Sequence, residues 1–342
     1  MVKYDVIIVG AGPGGLKCAE ILSQQHKRVL LLEKNEAIGP KVCAGGITRK
    51  SFKFLGLPKE IVGKDFDNIV FKNFSHQTKL FFGEKFIYTV DRKKLGEWQL
   101  EKLKNSSVEV RTKALVSEVT AEYVVLNDSE KVGYSFLVGA DGSNSIVRRH
   151  LGLKTKNIGI GFQYLIPRQE RYSDIELFFD SKLFNAWYSW IFPHADFVSV
   201  GYGCFPRVMS MQKARANFEK WAELMKIDLS IGKFEAHPIN CDYQGYAFGN
   251  VFLVGDAAGL ASGFTGEGIY QALASGTDVA KKIINPKHKT MLIAEIIRER
   301  NLHHVMLAIV YLFGPLRDAI FWLVIMITKS KAVARFLLRI LT

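Results

Sequence analysis

Gly10, Gly12 and Gly15 stand in the spacing G-x-G-x-x-G directly after the apolar run from Asp5 to Val9, and Glu33 closes a second apolar run from Arg28 to Leu32. Residues of these types at these offsets can hold a dinucleotide. The first glycine allows a tight bend, the second lets backbone approach a pyrophosphate, and the third lets a helix pack on the strand. A helix from Pro13 to about Gln25 would aim its N–H groups and positive dipole end at that phosphate. Glu33 is placed to hydrogen-bond a ribose 2′-hydroxyl, and its charge favours FAD or NAD over NADP, whose 2′-phosphate it would repel. Strand, helix, strand and terminal acid together predict a Rossmann-type βαβ unit over residues 4–33.

Two further segments decide which dinucleotide. From Phe136 to Arg148 an apolar strand runs into Gly139-Ala140-Asp141-Gly142, followed by a helix with Val147 and Arg148. From Gly249 to Gly268 the logic repeats: a strand from Val251 to Val254, Gly255-Asp256, then a glycine-rich stretch that opens a helix. With the first turn, these resemble the three fingerprints of the flavoprotein hydroxylase superfamily typified by p-hydroxybenzoate hydroxylase, over about three quarters of the chain. The resemblance implies FAD. Asp141 and Asp256 each stand at a strand's C-terminal edge, where Asp256 can accept hydrogen bonds from ribityl or ribose hydroxyls. The backbone N–H groups of Gly266 to Ile269, Gly268 among them, can face the flavin edge where negative charge gathers on reduction.

These residues need elements to hold them, and composition bounds what those are. A chain of 342 residues, 48% hydrophobic and 12% aromatic, excludes general disorder and has room for one large or two modest domains. The expected fold is α/β: a Rossmann-type FAD-binding domain, an inserted antiparallel β-sheet substrate domain and a C-terminal helical region. The FAD-binding domain is expected to be discontinuous, over 1–65, 90–155 and 243–280, with 66–89 and 156–242 forming the substrate domain and 281–342 the C-terminal region. A helix is expected from about Lys93 to Lys104, and strands at Val108 to Arg111 and Leu115 to Val119. Between 158 and 204 the pattern turns to alternating strands separated by Pro167, Asp180 and the His194-Ala195-Asp196 step.

Other chemistries are poorly served. There is no G-x-S-x-G, no H-x-E and no P-loop lysine, which removes hydrolase and kinase readings. Cys18, Cys43, Cys204 and Cys241 are widely spaced, which suits a reducing cytoplasm and argues against disulfides and zinc. His303 and His304 are adjacent and point apart on a helix, so no metal is expected. The N-terminus enters its strand at residue 3 without a charged n-region, so no signal peptide is expected.

Charge is uneven. Residues 281–342 contain eleven Lys/Arg and three Asp/Glu, contributing +8 of a net +13. This region is also the most apolar, which points to an anionic lipid surface and not to nucleic acid. Residues 305–328 are split by Gly314-Pro315 and Arg317-Asp318 into two runs of nine, each too short for a span of ~20 residues. Two short helices in a hairpin are expected, then a basic stripe of Lys331, Arg335 and Arg339 lying in the headgroup layer. The expected location is cytoplasmic, peripheral at the inner face of the membrane.

Two segments narrow the family. Tyr188-Ser189-Trp190-Ile191-Phe192-Pro193 resembles the Y-x-W-x-F-P motif of geranylgeranyl reductases. In a strand its three aromatics share one face, a strip suited to guiding an isoprenoid chain. Pro40-Lys41-Val42-Cys43-Ala44-Gly45-Gly46 resembles the Cys-containing loop which those reductases place beside the isoalloxazine, and Val90-Asp91-Arg92 resembles their arginine segment near the cofactor. The resemblance implies cofactor contacts from Gly14, Glu33, Cys43, Ala44, Gly46, Arg92, Ala114, Asp256, Gly268 and Ile269. It also implies roles in the reaction for Cys43, Tyr188 and Trp190. Asn185 stands where the family has a proline three residues before the tyrosine.

Three functions remain open. The first is saturation of C=C bonds in a prenyl lipid by hydride transfer from reduced flavin, the electrons coming from an external reductant such as NAD(P)H, a ferredoxin or another flavin. The second is a flavin monooxygenase or halogenase of the same fold; halogenases resemble W-x-W-x-I-P here, where this chain has Tyr188 and Phe192. The third is a non-catalytic, membrane-associated flavin electron carrier or sensor. Cys43 reads either as a thiol whose pKa a helix start would lower, acting as a proton source, or as a small apolar residue touching the ring.

Overall fold

The computed structural model describes residues 1–25, 27–327 and 330. Its contacts divide the described residues into two compact units: 1–41, 92–158 and 238–300 make the first, and 42–91, 159–237 and 301–327 the second.

The first unit is built on the expected βαβ: strand Lys3–Val9, helix Pro13–Ser23 and strand Val29–Leu32. Val6, Ile7, Ile8 and all of Val29–Leu32 are buried, as parallel strands covered on both faces require. Five strands lie parallel in the spatial order Val251–Leu253, Glu130–Gly139, Lys3–Val9, Val29–Leu32 and Glu109–Arg111. Their register aligns the C-terminal ends: Val9 stands opposite Leu32 and Gly139, and Gly139 opposite Leu253. Gly10, Glu33, Ala140 and Val254, the next residues along, therefore share one edge of the sheet, where ligands of open α/β sheets bind.

Helix Ile269–Ile284 packs on Pro13–Ser23 through glycines. A Cβ at Gly276 would lie 2.3 Å from the Gly14 carbonyl oxygen, and one at Gly14 2.7 Å from that of Ala272. The helix expected at Lys93–Lys104 runs Arg92–Glu101.

The second unit carries a seven-stranded sheet in the order Lys233–Asn240, Ile158–Pro167, Phe197–Cys204, Tyr188–Pro193, Ile175–Phe179, Asn68–Lys72, Gln77–Phe81. The four strands expected between 158 and 204 are antiparallel, but the sheet as a whole is mixed: Ile175–Phe179 pairs in parallel with Asn68–Lys72. A three-stranded antiparallel sheet joins Gly46–Thr48, Ile87–Val90 and Val62–Phe66. That pairing groups residues 42–65 with the second unit, whereas the sequence suggested the first. Likewise 281–300 groups with the first unit, where Ile293 packs in the core beside Val279 and Ile283. One face of the large sheet is closed by helix Met211–Leu224, whose Phe218 meets Phe162 at 5.3 Å between ring centroids and whose Trp221 meets Phe178 at 5.7 Å.

The C-terminal helices differ from the expected pair of nine-residue runs. The first is Met291–Leu312, beginning well upstream; a 3-10 turn, Gly314–Leu316, separates it from Arg317–Ile327. Arg317 donates to the carbonyls of Val310 (3.0 Å) and Tyr311 (3.1 Å), satisfying acceptors that the helix end leaves open. The last helix rests on the Asn68–Phe81 hairpin, Thr78 donating to the Ile325 carbonyl at 2.9 Å. Among the described residues no helix is long and apolar enough to cross a membrane. The basic stripe of Lys331, Arg335 and Arg339 lies outside the described residues.

Candidate functional site

In the first unit the glycine turn forms a cradle. Gly10 has φ +101°, and a Cβ there would sit 2.4 Å from the Ala140 carbonyl oxygen; one at Gly15 would lie 2.1 Å from that of Gly10. Gly12 is different: the nearest atom to its Cβ position is 4.0 Å away. Helix Pro13–Ser23 starts there with no side-chain cap, so its first N–H groups are available to an anion in that space. Gly14, which the resemblance assigned to the cofactor, is pressed against the Ala272 backbone.

Glu33 leans back over the turn. Its carboxylate accepts from the Ala11 N–H (3.0 Å) and from Asn35, while its carbonyl accepts from the buried Ala114 N–H at 2.9 Å. The fold thus brings Glu33, Ala114 and the glycine turn together. Arg92 opens its helix with a buried Nε that has no hydrogen-bond partner among the described residues. An unpaired buried donor costs about 1–3 kcal/mol, which an anionic ligand would recover.

Asp256 follows the last of the parallel strands. Its carboxylate is held by Lys41 Nζ at 2.9 Å and Ser143 Oγ at 3.2 Å. Gly268 lies beside it, a Cβ there falling 3.3 Å from Asp256 Oδ1, and helix Ile269–Ile284 begins without a side-chain cap. Gly266, at φ +71°, has nothing within 4 Å of its Cβ position. Asp141 accepts the Ile146 N–H at 2.7 Å, so one of its oxygens serves the Ile146–His150 helix. Lys41 and Ser143 were not singled out from the sequence; the only hint was that a carboxylate at a strand edge needs a partner.

The second unit holds the Cys43 loop and the aromatic strip. Strand Gly46–Thr48 follows the loop, so Cys43 is not at the helix start that the sequence suggested. The loop is pinned by glycines: a Cβ at Gly45 would lie 2.5 Å from the His194 ring, and one at Gly46 2.5 Å from the Phe192 ring. His194, 3% exposed, bonds the Ala44 carbonyl through Nε2 at 2.9 Å. A carbonyl only accepts, so Nε2 carries the hydrogen; burial pulls the imidazole pKa below its ordinary value and keeps it neutral.

Tyr188, Trp190 and Phe192 share the half-buried face of their strand, while Ser189, Ile191 and Pro193 are buried. Trp190 stands opposite Gly201, which stands opposite Gln163. The indole lies over the glycine, where a Cβ would come within 2.3 Å of it. Its Nε1 donates to Ser199 Oγ (2.9 Å), Ser199 donates to Gln163 Oε1 (2.8 Å), and Gln163 Nε2 donates to the Cys43 carbonyl (3.3 Å). Gln163, Ser199 and His194 escaped the sequence reading; a glutamine inside the apolar run Ile158–Ile166 was the available signal. Asn185 has φ +58°, which proline cannot adopt, so the departure from the family motif reflects a different approach to the strand. Among the described residues no cluster of His, Cys, Asp and Glu could hold a metal ion.

Comparison with known proteins bears directly on this geometry. The FAD binding domain family matches residues 3–166. An uncharacterized protein of Methanosarcina barkeri is 31% identical over 307 residues, covering 85% of this chain and 76% of that protein. A digeranylgeranylglycerophospholipid reductase of Methanosarcina mazei is 27% identical over 303 residues, covering 80% and 73%. The chain belongs to the geranylgeranyl reductase family of FAD-dependent oxidoreductases. Its cofactor is FAD. A geranylgeranyl bacteriochlorophyll reductase-like protein of Thermoplasma acidophilum shares the fold at TM-score 0.74 and 21% identity, over 87% of this chain and 83% of that one. So does p-nitrophenol 4-monooxygenase of Pseudomonas putida, at TM-score 0.77 and 16% identity over 99% and 97%.

For a geranylgeranyl reductase family member, the cradle and the open N-termini in the first unit fit FAD. Asp256→Ala is expected to weaken FAD retention by about 1.5–3 kcal/mol, the worth of hydrogen bonds to a charged group. The check is flavin absorbance per chain after gel filtration. Full occupancy in the variant would remove Asp256 from the site.

Proposed function

We propose that this family member saturates carbon–carbon double bonds of a prenyl, geranylgeranyl-type lipid. The observation that carries the reading is the Tyr188-Trp190-Phe192 strip, whose Phe192 ring packs on Gly46 of the Cys43 loop. Reduced FAD would supply the hydride equivalent, restored by an external donor such as NAD(P)H, a ferredoxin or another flavin. An isolated alkene offers no polar handle, so the chain must supply close positioning and exclusion of water. Three rings at two-residue spacing form one half-buried aromatic strip along the strand, and Cys43 is the candidate source of the proton that completes saturation. Relatives named geranylgeranyl diphosphate reductase and digeranylgeranylglycerophospholipid reductase support the substrate class.

The test is anaerobic. Chemically reduced protein should be reoxidised by geranylgeranyl lipids, each reduced bond adding the mass of two hydrogens. The shared fold with p-nitrophenol 4-monooxygenase favours one competing reading. If oxygen with an aromatic substrate gives hydroxylated or halogenated product and prenyl lipids do nothing, that reading replaces this one. Flavin reduction without any turnover would leave an electron carrier.

The same proposal includes peripheral contact with an anionic bilayer. Val305, Ile309 and Leu312, spaced for one face of helix Met291–Leu312, are 57, 46 and 85% exposed, and Leu316 in the following turn and Trp322 beyond it are 62 and 42% exposed. Between residues 301 and 327 the only charged side chains are Arg317 and Asp318, and the +8 of residues 281–342 comes from the chain on either side; an apolar face flanked in sequence by basic residues suits an anionic surface. Leu312→Asp with Leu316→Asp should lower binding to anionic vesicles by roughly 10²- to 10⁴-fold, since each leucine buries about 1.5–3 kcal/mol of apolar side chain. Vesicle flotation measures it. Equal binding of the double variant, or a concentration-dependent dimer that the variant abolishes, would overturn the lipid assignment.

A further inference from the structure

We infer that Gln163 is a positioning residue that locks the Trp190 indole and the Cys43 loop into one geometry. Gln163 and Ser199 are 2% and 0% exposed in a strand face otherwise suited to apolar packing. Buried polar groups cost stability unless fully bonded, and apolar residues of the same size would close this sheet as well. Both are bonded here. Ser199 accepts from Trp190 and donates to Gln163, whose amide donates to the Cys43 carbonyl and to Glu235 Oε2 at 3.2 Å. Gly201 completes the device, because only a residue without a side chain lets the indole cross toward Ser199. A rotation of Trp190 must therefore break or carry the bond at Ser199, and Gln163 passes that change to the loop carrying Cys43. The consequence for turnover rests on the prenyl-reductase reading; the coupling itself does not.

The experiment has two readouts that need no lipid. Cys43 is the one partly exposed cysteine of the four, so its alkylation by iodoacetamide reports how firmly the loop is held. The ¹⁵N-indole resonance of Trp190, assigned with Trp190→Phe, reports the bond to Ser199. Gln163→Glu, made together with Glu235→Gln so that no second carboxylate faces it, keeps an acceptor for Ser199 but loses the donor to Cys43. It should speed Cys43 alkylation about fivefold to tenfold, the worth of one net hydrogen bond, while the indole resonance stays near its wild-type position. Ser199→Ala should move the resonance and, because Gln163 Oε1 then loses its donor, also speed Cys43 alkylation by more than twofold. Gln163→Met, apolar and of similar length, should change both and lower kcat more than it raises KM for a geranylgeranyl lipid. Should Gln163→Met fail to fold, the first two variants carry the test. Alkylation within twofold of wild type in either Gln163→Glu or Ser199→Ala, or an unmoved resonance in Ser199→Ala, overturns the inference. Coupling seen by both readouts with no prenyl reduction would overturn only the proposed function.

Discussion

Replacing Gly15 with alanine is expected to give a protein that loses FAD and unfolds several degrees early, whereas Gly12→Ala should lose FAD and keep its stability. The two glycines stand three residues apart in one motif, yet only one is filled from behind. At Gly15 the added methyl would lie 2.1 Å from the Gly10 carbonyl oxygen, so helix and strand must separate. Overpacking of this kind costs ~1–3 kcal/mol, or roughly 2–10 °C in Tm for a domain of this size, with the cradle distorted in addition. At Gly12 the nearest atom is 4.0 Å away, and the methyl would stand in space left for the pyrophosphate. Tm of flavin-free protein and bound flavin per chain, measured together, separate the cases. Equal destabilisation by both substitutions would mean that Gly12 serves packing and not the cofactor.

Cys43→Ala is expected to slow lipid-dependent reoxidation of reduced protein by about 10²-fold or more while flavin stays bound, the scale on which a positioned proton donor acts. Cys43→Ser should fall between alanine and wild type, since a hydroxyl can hold a proton at the same place but gives it up less readily. The loop should survive both changes: Cys43 Sγ accepts one long bond from the Gly45 N–H (3.4 Å), while the carbonyls of Cys43 and Ala44 and the glycines at 45 and 46 fix the backbone. Stopped-flow oxidation of the reduced flavin by a geranylgeranyl lipid measures the rate. Wild-type rates in both variants would return Cys43 to a packing role.

Much of the first unit was readable in advance because its reasons are local. A glycine at φ +101° or in contact with backbone has no substitute, so Gly10 and Gly15 announce their geometry in the chain itself. Strand ends followed by Glu33 and Asp256 were readable for the same reason. What resisted reading depends on residues far apart. Nothing near Ile175 tells that its strand will pair in parallel with Asn68–Lys72, because strand period reveals a face and not a neighbour. Lys41 finds Asp256 across more than 200 residues, and Gln163, Ser199 and Trp190 meet only once three strands align. The C-terminal helices were misjudged because hydropathy picked out their apolar stretch, while Met291–Leu312 also uses charged turns such as Glu295 to Arg300.

The glycine contact between the Pro13–Ser23 and Ile269–Ile284 helices also has a bearing on biosynthesis. Gly14 leaves the ribosome about 260 residues ahead of Gly276, the residue whose missing side chain lets the two helices touch. At roughly 5–20 residues per second, the phosphate turn waits about 13–50 s for its neighbour, with its apolar strands open meanwhile. The flavin can therefore join a finished cradle only after the helix carrying Gly276 has been made. Nascent chains stalled before residue 269 should emerge colourless and held by chaperones, and chains carried past residue 284 should take up the cofactor.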